Sequence, residues 1–515
     1  MEQSPGSSSQ HRSLILVILA AVVLPPLGLI LLWMRNDTEP GKKVFGSVGI
    51  IALAAVYGFL FFGRGVFVAQ PDPSSEAHYA ELERQRAAQR ESAPAAASAS
   101  SADQSQQAVA ATPGNSNESK PAATPAKSTR SYWTNFRGPA RDGRYDETPI
   151  LTNWPAGGLP VLWKQPIGGG YASFVVAEGM AFTIEQRRSQ EIVAAYDVET
   201  GRELWTHGWD AEFRESMGGD GPRATPTWEG GRLWALGAQG DLICFDSKSG
   251  KVQWSKNILK DNGATNLQWG MSGSPLIVDD KVVVLPGGRA GKSVVAYNKL
   301  TGAPVWRSLN DTQAYVSPML VTLAGKRQIL MVTSNRVVGL APEDGALLWE
   351  ASWNTDMGIN VSQPIVVDAS RFFISSGYGK GAALVEITAS GDAFSARKVW
   401  ENTSMKNKFN GSVLFEGNAY GLDEGILTCV DVKTGERRWK GGRYGFGQVL
   451  LASGHLIVIT EEGELVLVKA SPDKHTEVAR FPAIEGKTWN NPALAGGRLL
   501  VRNQTQMACF DVSGK

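Results

Sequence analysis

Cysteine and histidine are scarce in this chain, with three and five copies in 515 residues. The cysteines, Cys244, Cys429 and Cys509, cannot form a disulfide framework. No CxxC pair or His/Cys cluster has the spacing of a zinc site. An excess of basic charge is also missing, because the formal net charge is +1. Phosphate binding needs such an excess, so the sequence predicts neither a metal site nor a nucleic-acid partner.

Charged residues are absent from two N-terminal segments. Residues 13–34 are uncharged over 22 positions and residues 44–63 over 20, and each run is long enough to span a bilayer. A cleaved signal peptide has one short apolar core, and both runs lie outside the repeats described below, which argues against buried core helices. The sequence therefore predicts a transmembrane helical hairpin over 13–64, with helices at 13–34 and 44–63.

The orientation of this hairpin follows from its basic residues. The loop between the two runs carries Arg35, Lys42 and Lys43, whereas the outer flanks carry Arg12 and Arg64. The positive-inside rule places the loop in the cytoplasm. The chain is thus expected in the inner membrane, with its C-terminal mass in the periplasm or another extracytoplasmic space.

Residues 65–130 are predicted to be a flexible linker. Much of this stretch is Ala, Ser, Pro and Gln, with almost no large apolar side chains. Such a composition cannot bury enough surface to offset chain entropy. One part, EAHYAELERQRAAQRE at 76–91, has a composition that suits a short helix.

A nonapeptide recurs along the rest of the chain. It reads DVETGRELW at 197–205, DSKSGKVQW at 246–254, NKLTGAPVW at 298–306 and DVKTGERRW at 431–439. Its tryptophan, replaced once by Phe481, recurs at intervals of 39 to 52 residues. The tryptophans are Trp163, Trp205, Trp254, Trp306, Trp349, Trp400 and Trp439. A period near 40–45 residues with strand-like segments is typical of propeller blades.

The nonapeptide has a structural explanation, and we call it the tryptophan clip. Its Asp ends the third strand of a blade, and its Thr-Gly pair makes a tight hairpin in which Gly supplies the left-handed conformation. The tryptophan then lies on the fourth strand and packs against the neighbouring blade. Each of the three cysteines precedes a clip Asp by two residues, where other units have Ala195 or Ala296. Buried, inert thiols are expected there.

The units begin near residues 171, 223, 272, 317, 363, 411, 447 and 490. The last unit ends without its tryptophan, and LPVLWKQPI, with Trp163, supplies the missing strand from the N-terminal side. The predicted fold over 131–515 is therefore all-β: an eight-bladed β-propeller with four-stranded blades. Seven blades remain possible if one unit is misassigned. The fourth unit lacks the clip Asp, and the fifth, ITASGDAFSARKVW, has a longer final hairpin.

The repeated DxxTGxxxW clip resembles the tryptophan-docking motif of quinoprotein-type, or PQQ-like, propellers, and the resemblance covers roughly 131–515. The stretch beginning NFRGPARDGRY is similar to the start of bacterial PQQ-like repeat proteins. This superfamily includes alcohol dehydrogenases that use pyrroloquinoline quinone (PQQ) and the non-catalytic BamB propeller of outer-membrane assembly. The resemblance implies the architecture and leaves the activity open.

In the dehydrogenases of this superfamily, adjacent cysteines and a tryptophan enclose the quinone, Glu and Asn hold a calcium ion, and an Asp acts as base. This sequence has no adjacent cysteines, and its calcium ligands and base cannot be placed by motif. PQQ and calcium are therefore unsupported by the site residues, and no catalytic residue is assigned.

A channel mouth, formed where the chain enters the inner strands, is the default ligand site of a propeller. Polar or aromatic residues stand near those positions. The candidates are Glu185, Arg187, Arg223, Trp269, Tyr315, Asn360, Lys408, Asn410 and Asn490.

Three hypotheses follow for the function. The first is a membrane-tethered scaffold that binds a protein partner, and the second is a PQQ-dependent alcohol or sugar dehydrogenase. The third is a sensor for a small ligand.

Overall fold

The structure is a computed structural model that describes residues 25–34, 39, 41, 43–44, 47–50, 73–91 and 132–513. The chain divides into two compact units, 1–76 and 77–515. The first unit contains helix α1 (Pro25–Met34). Within the described ranges, no helix combines the length and the apolarity that crossing a membrane requires. Most of the predicted hairpin, including residues 13–24 and 51–63, lies outside the described residues.

Helix α2 (Pro73–Glu91) confirms the helix expected over 76–91. From Ala77 onward it belongs to the same compact unit as the propeller. Leu82 is fully buried and Arg86 is 1% exposed, so this face of the helix is packed. The linker was predicted to include these residues because their composition is polar. In the structure they are packed, because the buried side chain of Arg86 contacts residues of the propeller. The rest of the predicted linker, 65–72 and 92–130, is outside the described residues.

Strands β1 and β2 precede the first complete blade. They are β1 (Arg144–Tyr145) and β2 (Val161–Pro166). The strands of blade 1 are β3 (Val175–Ala177), β4 (Met180–Arg187), β5 (Gln190–Asp197) and β6 (Glu203–Asp210). Those of blade 2 are β7 (Thr227–Glu229), β8 (Arg232–Leu236), β9 (Asp241–Asp246) and β10 (Val252–Asn257). After a short helix α3 (Ile258–Asn262), blade 3 has β11 (Leu276–Val278), β12 (Lys281–Val284), β13 (Val294–Asn298) and β14 (Pro304–Ser308).

The remaining blades repeat this order. Blade 4 has β15 (Met319–Leu323), β16 (Lys326–Val332), β17 (Arg336–Leu340) and β18 (Leu347–Ser352). A 3₁₀ turn (Asp356–Gly358) leads to blade 5, with β19 (Ile365–Val366), β20 (Arg371–Ser376), β21 (Gly381–Ser390) and β22 (Ala393–Asn402). Blade 6 has β23 (Val413–Phe415), β24 (Asn418–Asp423), β25 (Ile426–Asp431) and β26 (Arg437–Arg443). Blade 7 has β27 (Gln448–Ala452), β28 (His455–Ile459), β29 (Glu464–Lys469) and β30 (Glu477–Pro482), and blade 8 has β31 (Ala493–Ala495), β32 (Arg498–Arg502) and β33 (Gln506–Asp511).

Eight antiparallel sheets confirm the eight-bladed, four-stranded propeller. The eighth is closed as predicted, because β2 pairs antiparallel with β33 and places Trp163 opposite Cys509. Strand β1 adds a parallel fifth strand to blade 7 through β27. The first strands of neighbouring blades contact one another, as β3 does with β7 and β31, so they form the inner ring.

The tryptophan clip joins blades at six of the eight junctions. Six indole Nε1 atoms donate to a carbonyl in the turn between the third and fourth strands of the following blade, at 2.8 to 3.1 Å. The pairs are Trp163 with Val198, Trp205 with Ser247, Trp254 with Lys299, Trp306 with Pro342, Trp400 with Val432 and Trp439 with Ser471. The clip therefore has the structural role that the repeat predicts.

Two tryptophan-clip positions depart from this rule. Trp349 donates to Gln328 in its own blade, and its ring stacks on Phe372 of blade 5 at 5.7 Å between centroids. Blade 5 has no clip turn to receive Trp349, and its long β21–β22 hairpin packs on β18 instead. Phe481, in the tryptophan position of blade 7, packs edge-on against Trp154 at 5.7 Å. The N-terminal segment thus packs on Phe481 in the way that clip turns pack on the tryptophans of other blades.

Candidate functional site

The channel mouth is the end of the ring where the chain enters the inner strands. Of the nine candidate residues, the structure brings Arg223, Trp269, Tyr315 and Lys408 to this mouth. The other five lie elsewhere or are buried between blades.

The three candidate asparagines are buried. Asn360, Asn410 and Asn490 are 1%, 2% and 2% exposed. Asn490 Nδ2 donates to the carbonyls of Gly170 and Ala172 at 3.1 and 2.9 Å, which ties blade 8 to blade 1. The amide of Asn360 donates to Thr333, Ser334 and Trp353 carbonyls in blade 4. The amides of Asn360 and Asn490 are therefore occupied by backbone carbonyls, whereas the buried amide of Asn410 makes no hydrogen bond within the described residues.

Glu185 and Arg187 are also not ligand residues of the mouth. The Glu185 carboxylate is fully buried, where it pairs with Arg187 and accepts from Gly168 N at 2.7 Å. Arg187 also pairs with Glu203 at 2.6 Å, and Arg86 of helix α2 lies 3.4 Å from the same carboxylate. Although desolvation opposes it, the neighbouring arginines lower the pKa of Glu185. The pair belongs to a buried ion network beneath helix α2.

Arg223 organises a loop that covers part of the mouth. This mouth loop, residues 211–222, connects blade 1 to blade 2. Arg223 donates to the carbonyls of Gly221 and Gly219 at 2.7 and 2.8 Å, and its guanidinium lies 4.9 Å from the centre of the Phe213 ring. Burial lowers the pKa of Arg223. The guanidinium group of Arg223 therefore binds backbone carbonyls of the mouth loop, and these bonds occupy the donors that a carboxylate ligand would need.

The mouth loop is held from blades 1 and 8. The hydroxyl of Tyr171 donates to the carbonyl of Gly218, and Lys487 Nζ donates to the same oxygen at 3.1 Å. A side chain at Gly218 would come within 3.7 Å of Trp269, which lies before the inner strand of blade 3. The loop therefore reaches across the mouth from blade 8 towards blade 3.

Four aromatic rings form a continuous row at the mouth, and we call this row the aromatic arc. It consists of Tyr171, Phe409, Phe446 and Trp489, each just before an inner strand of blades 1, 6, 7 and 8. Ring centroids are 5.4 Å apart for Tyr171–Trp489, 4.5 Å for Phe409–Trp489 and 5.1 Å for Phe409–Phe446. The sequence contained a signal for it, since all four occupy the positions at which polar candidates were sought.

A second aromatic pair lies on blades 3 and 4. The rings of Trp269 and Tyr315 are 5.7 Å apart. Burial is the main cause that raises the pKa of Tyr315 to about 12, while the nearby charge of Arg223 lowers it. Tyr315 is therefore a neutral hydroxyl at physiological pH, and it cannot serve there as a base.

The channel is plugged beyond the mouth by residues 133–143, which sequence reasoning did not anticipate. Arg141 donates to the carbonyls of Ser274 and Pro318 at 3.1 and 3.0 Å, and Arg137 donates to Ser412 O at 2.6 Å. Both guanidinium groups are 2% exposed, and burial lowers the pKa of Arg137 to about 10 and of Arg141 to about 9. These residues of NFRGPARDG tie blades 3, 4 and 6 together across the axis.

Comparison with known proteins finds similarity to one family. A family model described as outer membrane protein assembly factor BamB matches residues 188–441. Over these residues the chain is similar to PQQ-like β-propellers. The outer membrane protein assembly factor BamB of Burkholderia pseudomallei is 21% identical over 373 residues, which cover 63% of this chain and 91% of that protein.

Solved structures agree on the fold of this propeller. BamB from Moraxella catarrhalis superposes with a TM-score of 0.51 at 16% identity, covering 68% of this chain and 99% of that chain. Quinohemoprotein alcohol dehydrogenase from Comamonas testosteroni superposes with a TM-score of 0.55 at 14% identity, covering 75% and 81% of the two chains. Because one is an assembly factor and the other an enzyme, this likeness shows architecture alone.

Two features of a quinone–calcium site, adjacent cysteines and a group of carboxylate ligands, are not found among the described residues. The three cysteines are buried in the third strands of three different blades, so no two of them are adjacent. They are Cys244 in blade 2, Cys429 in blade 6 and Cys509 in blade 8. Calcium takes six to eight oxygen ligands, yet in the described ranges no three His, Cys, Asp or Glu side chains are grouped to hold a metal ion. Glu461 lies beside the aromatic arc, and its two carboxylate oxygens accept hydrogen bonds from Trp489 Nε1 and Phe446 N at 2.8 and 3.1 Å.

Proposed function

We propose that this chain is a non-catalytic binding scaffold, whose propeller holds a protein partner at the channel mouth. Its relatives include proteins named outer membrane protein assembly factor, which supports a role in assembly. The partner itself is identified below only by its chemistry.

The main support for this proposal is that the aromatic arc lies on packed side chains. Gln448, fully buried, donates to the carbonyls of Phe409 and Trp489 at 3.2 and 2.8 Å, so the rings rest on packed side chains. Small-molecule sites are concave and enclose most of the ligand. Aromatic residues on an open face are instead typical of the energetic centre of protein interfaces.

The proposal includes a membrane tether and an extracytoplasmic propeller. Two uncharged runs of 22 and 20 residues, with three basic residues between them, support this placement. A scaffold held at a membrane meets membrane-bound partners at high effective concentration. The tether is therefore consistent with an assembly role.

Site-specific photocrosslinking in native membranes tests the scaffold. A photoreactive residue at position 217, where Met217 is 68% exposed on the mouth loop, should capture a discrete protein. The matched control is position 478 on the outer strand of blade 7, where Val478 is 45% exposed. Equal capture at both positions, or none at position 217, would contradict a partner at the mouth.

The dehydrogenase alternative is tested on the purified full chain. Thermal shift and dye reduction are measured with PQQ and calcium over a panel of alcohols and sugars. The scaffold proposal expects neither stabilisation nor turnover. Stabilisation with turnover would make the protein a quinoprotein enzyme, and stabilisation by a small ligand without turnover would favour the sensor hypothesis.

A further inference from the structure

Two lysines stand over the ends of the aromatic arc. Lys408 Nζ lies 4.8 Å from the centre of the Phe446 ring, and Lys487 Nζ lies 4.2 Å from the centre of the Trp489 ring. Within the described residues neither ammonium group is in an ion pair, whereas Lys406, two residues away, pairs with Glu424 at 2.6 Å. The arc thus presents its rings beside two cations that form no direct ion pair with a carboxylate of the described residues.

The floor of the arc limits what anion can bind. The Glu461 carboxylate accepts hydrogen bonds from Trp489 and Phe446 beside the arc. A ligand with a dense row of negative charges would be repelled by this carboxylate. A ligand with a few carboxylates spaced by apolar groups would meet the lysines and the rings together.

We propose that the aromatic arc binds an extended polypeptide segment in which acidic residues alternate with apolar ones. In an extended chain, side chains on one face recur about every 6.8 Å, so apolar groups can pack on the rings while carboxylates reach Lys408 and Lys487. This inference rests on the proposed function and specifies the chemistry of the partner that it assumes.

Fluorescence anisotropy on the detergent-solubilised full chain tests the inference. The probe is a labelled nine-residue peptide that alternates glutamate with leucine, and the comparison peptide alternates lysine with leucine. We expect the acidic peptide to bind at least about tenfold more tightly, and its affinity to fall as salt rises. Equal binding of both peptides would overturn the proposal.

Variants locate the binding on the arc. Lys408→Gln and Lys487→Gln should each weaken the acidic peptide about three- to tenfold, with melting temperatures unchanged. Lys406→Gln is the matched control, since its charge is already paired, and it should leave the affinity within twofold. If the control weakens binding as much as the arc variants do, the arc is not the site.

Two further outcomes are informative. The alternating peptide is also compared with oligo-aspartate and with single-stranded oligo-thymidine. If either binds as tightly as the alternating peptide, the arc binds anions in general, and the proposal that it recognises alternating acidic and apolar residues is overturned. If a protein crosslinks at position 217 while no acidic peptide binds, this inference fails and the scaffold proposal stands. If neither is seen, both fail.

Discussion

At the scale of single residues, the clip glycine is required for two independent reasons. Gly302 has φ +70°, which favours glycine, and a Cβ there would come within 2.8 Å of the Trp254 ring. Gly201, Gly250, Gly345 and Gly435 face the preceding tryptophans Trp163, Trp205, Trp306 and Trp400 in the same way. The turn and the packing of the neighbouring blade thus select the same residue type.

Removing one clip tryptophan should destabilise the whole propeller. Trp306 is 8% exposed and donates to Pro342 O at 3.1 Å. Trp306→Ala should lower the free energy of unfolding by about 3–5 kcal/mol, and Trp306→Phe by about 1–2 kcal/mol because Pro342 O loses its donor. Urea titration measures both. Val305→Ala, at a neighbouring position that is 45% exposed, is the control and should stay within about 0.5 kcal/mol.

A buried carboxyl should make stability depend on pH. Glu191 is fully buried between blades 1 and 2, and Glu191 Oε1 accepts from Ala238 N at 2.8 Å. Burial, and to a lesser extent the charge of Asp241, raises the pKa of Glu191 to about 8. The pKa of Glu191 is therefore higher in the folded protein than its value of about 4.3 in the unfolded chain. The neutral carboxyl makes its full contribution to the free energy of unfolding below pH ~4. That contribution is lost as the pH rises towards about 8.

Glu191→Gln tests this pH dependence, because the variant cannot ionise at this position. The free energy of unfolding of the natural protein should fall between pH 5 and pH 8 relative to the variant, by at most about 1.4 kcal/mol per pH unit. Parallel curves for the two proteins over that range would show that Glu191 is ionised or solvated in the folded state.

At the scale of elements, helix α2 packs where the ring closes, between blade 8 and blade 1. Arg86 donates to Pro166 O at 2.8 Å on β2 and lies 5.2 Å from the centre of the Tyr196 ring in blade 1. His78 Nε2 is 2.8 Å from Ile167 O. The helix therefore contacts both the strand that completes blade 8 and the blade that follows it.

Arg86→Ala should release this helix. The change removes charge-assisted hydrogen bonds that contribute about 1.5–3 kcal/mol each, so amide hydrogen exchange over 77–91 should accelerate at least about tenfold. Arg84→Ala is the matched control, because that side chain is 73% exposed and pairs only with Glu81 on the same helix. Equal exchange in both variants would mean that Arg86 does not hold the helix.

At the scale of the whole molecule, segments distant in the chain close the ring together. Strand β2 completes blade 8, and the plug with Arg137 and Arg141 joins inner strands around the axis. Trp133 and Tyr145 from the same segment are buried in the core formed by blades 7, 8 and 1.

Deleting 132–170 should therefore abolish cooperative unfolding. The deletion removes a strand, the plug and part of the core at once. Circular dichroism during heating measures the effect. A deletion of 95–128, whose composition offers no core, is the control and should keep the melting temperature within about 2 °C. A 132–170 deletion that melts like the intact protein would refute closure by this segment.

The repeat could be predicted well because its signals are local. The clip Asp, Gly and Trp act within nine residues, and the units recur at a regular interval, so blade number and strand order followed from spacing. The mouth could not be predicted as well. Asn360 and Asn490 stand at the right positions in the chain, but whether an amide faces the channel or a neighbouring blade depends on backbone carbonyls far away in sequence, such as Gly170 O for Asn490.

The sequence by itself determined the all-β propeller, the eight blades, the closing strand and the burial of the three cysteines. Tertiary structure alone decided that Glu185 and Arg187 pair beneath helix α2, that Arg137 and Arg141 plug the channel, and that Tyr171, Phe409, Phe446 and Trp489 form one arc. The reason is physical. Periodicity and turn chemistry act between near neighbours, whereas the pairing of a charge or a ring depends on which distant segments the closed ring brings within a few ångströms.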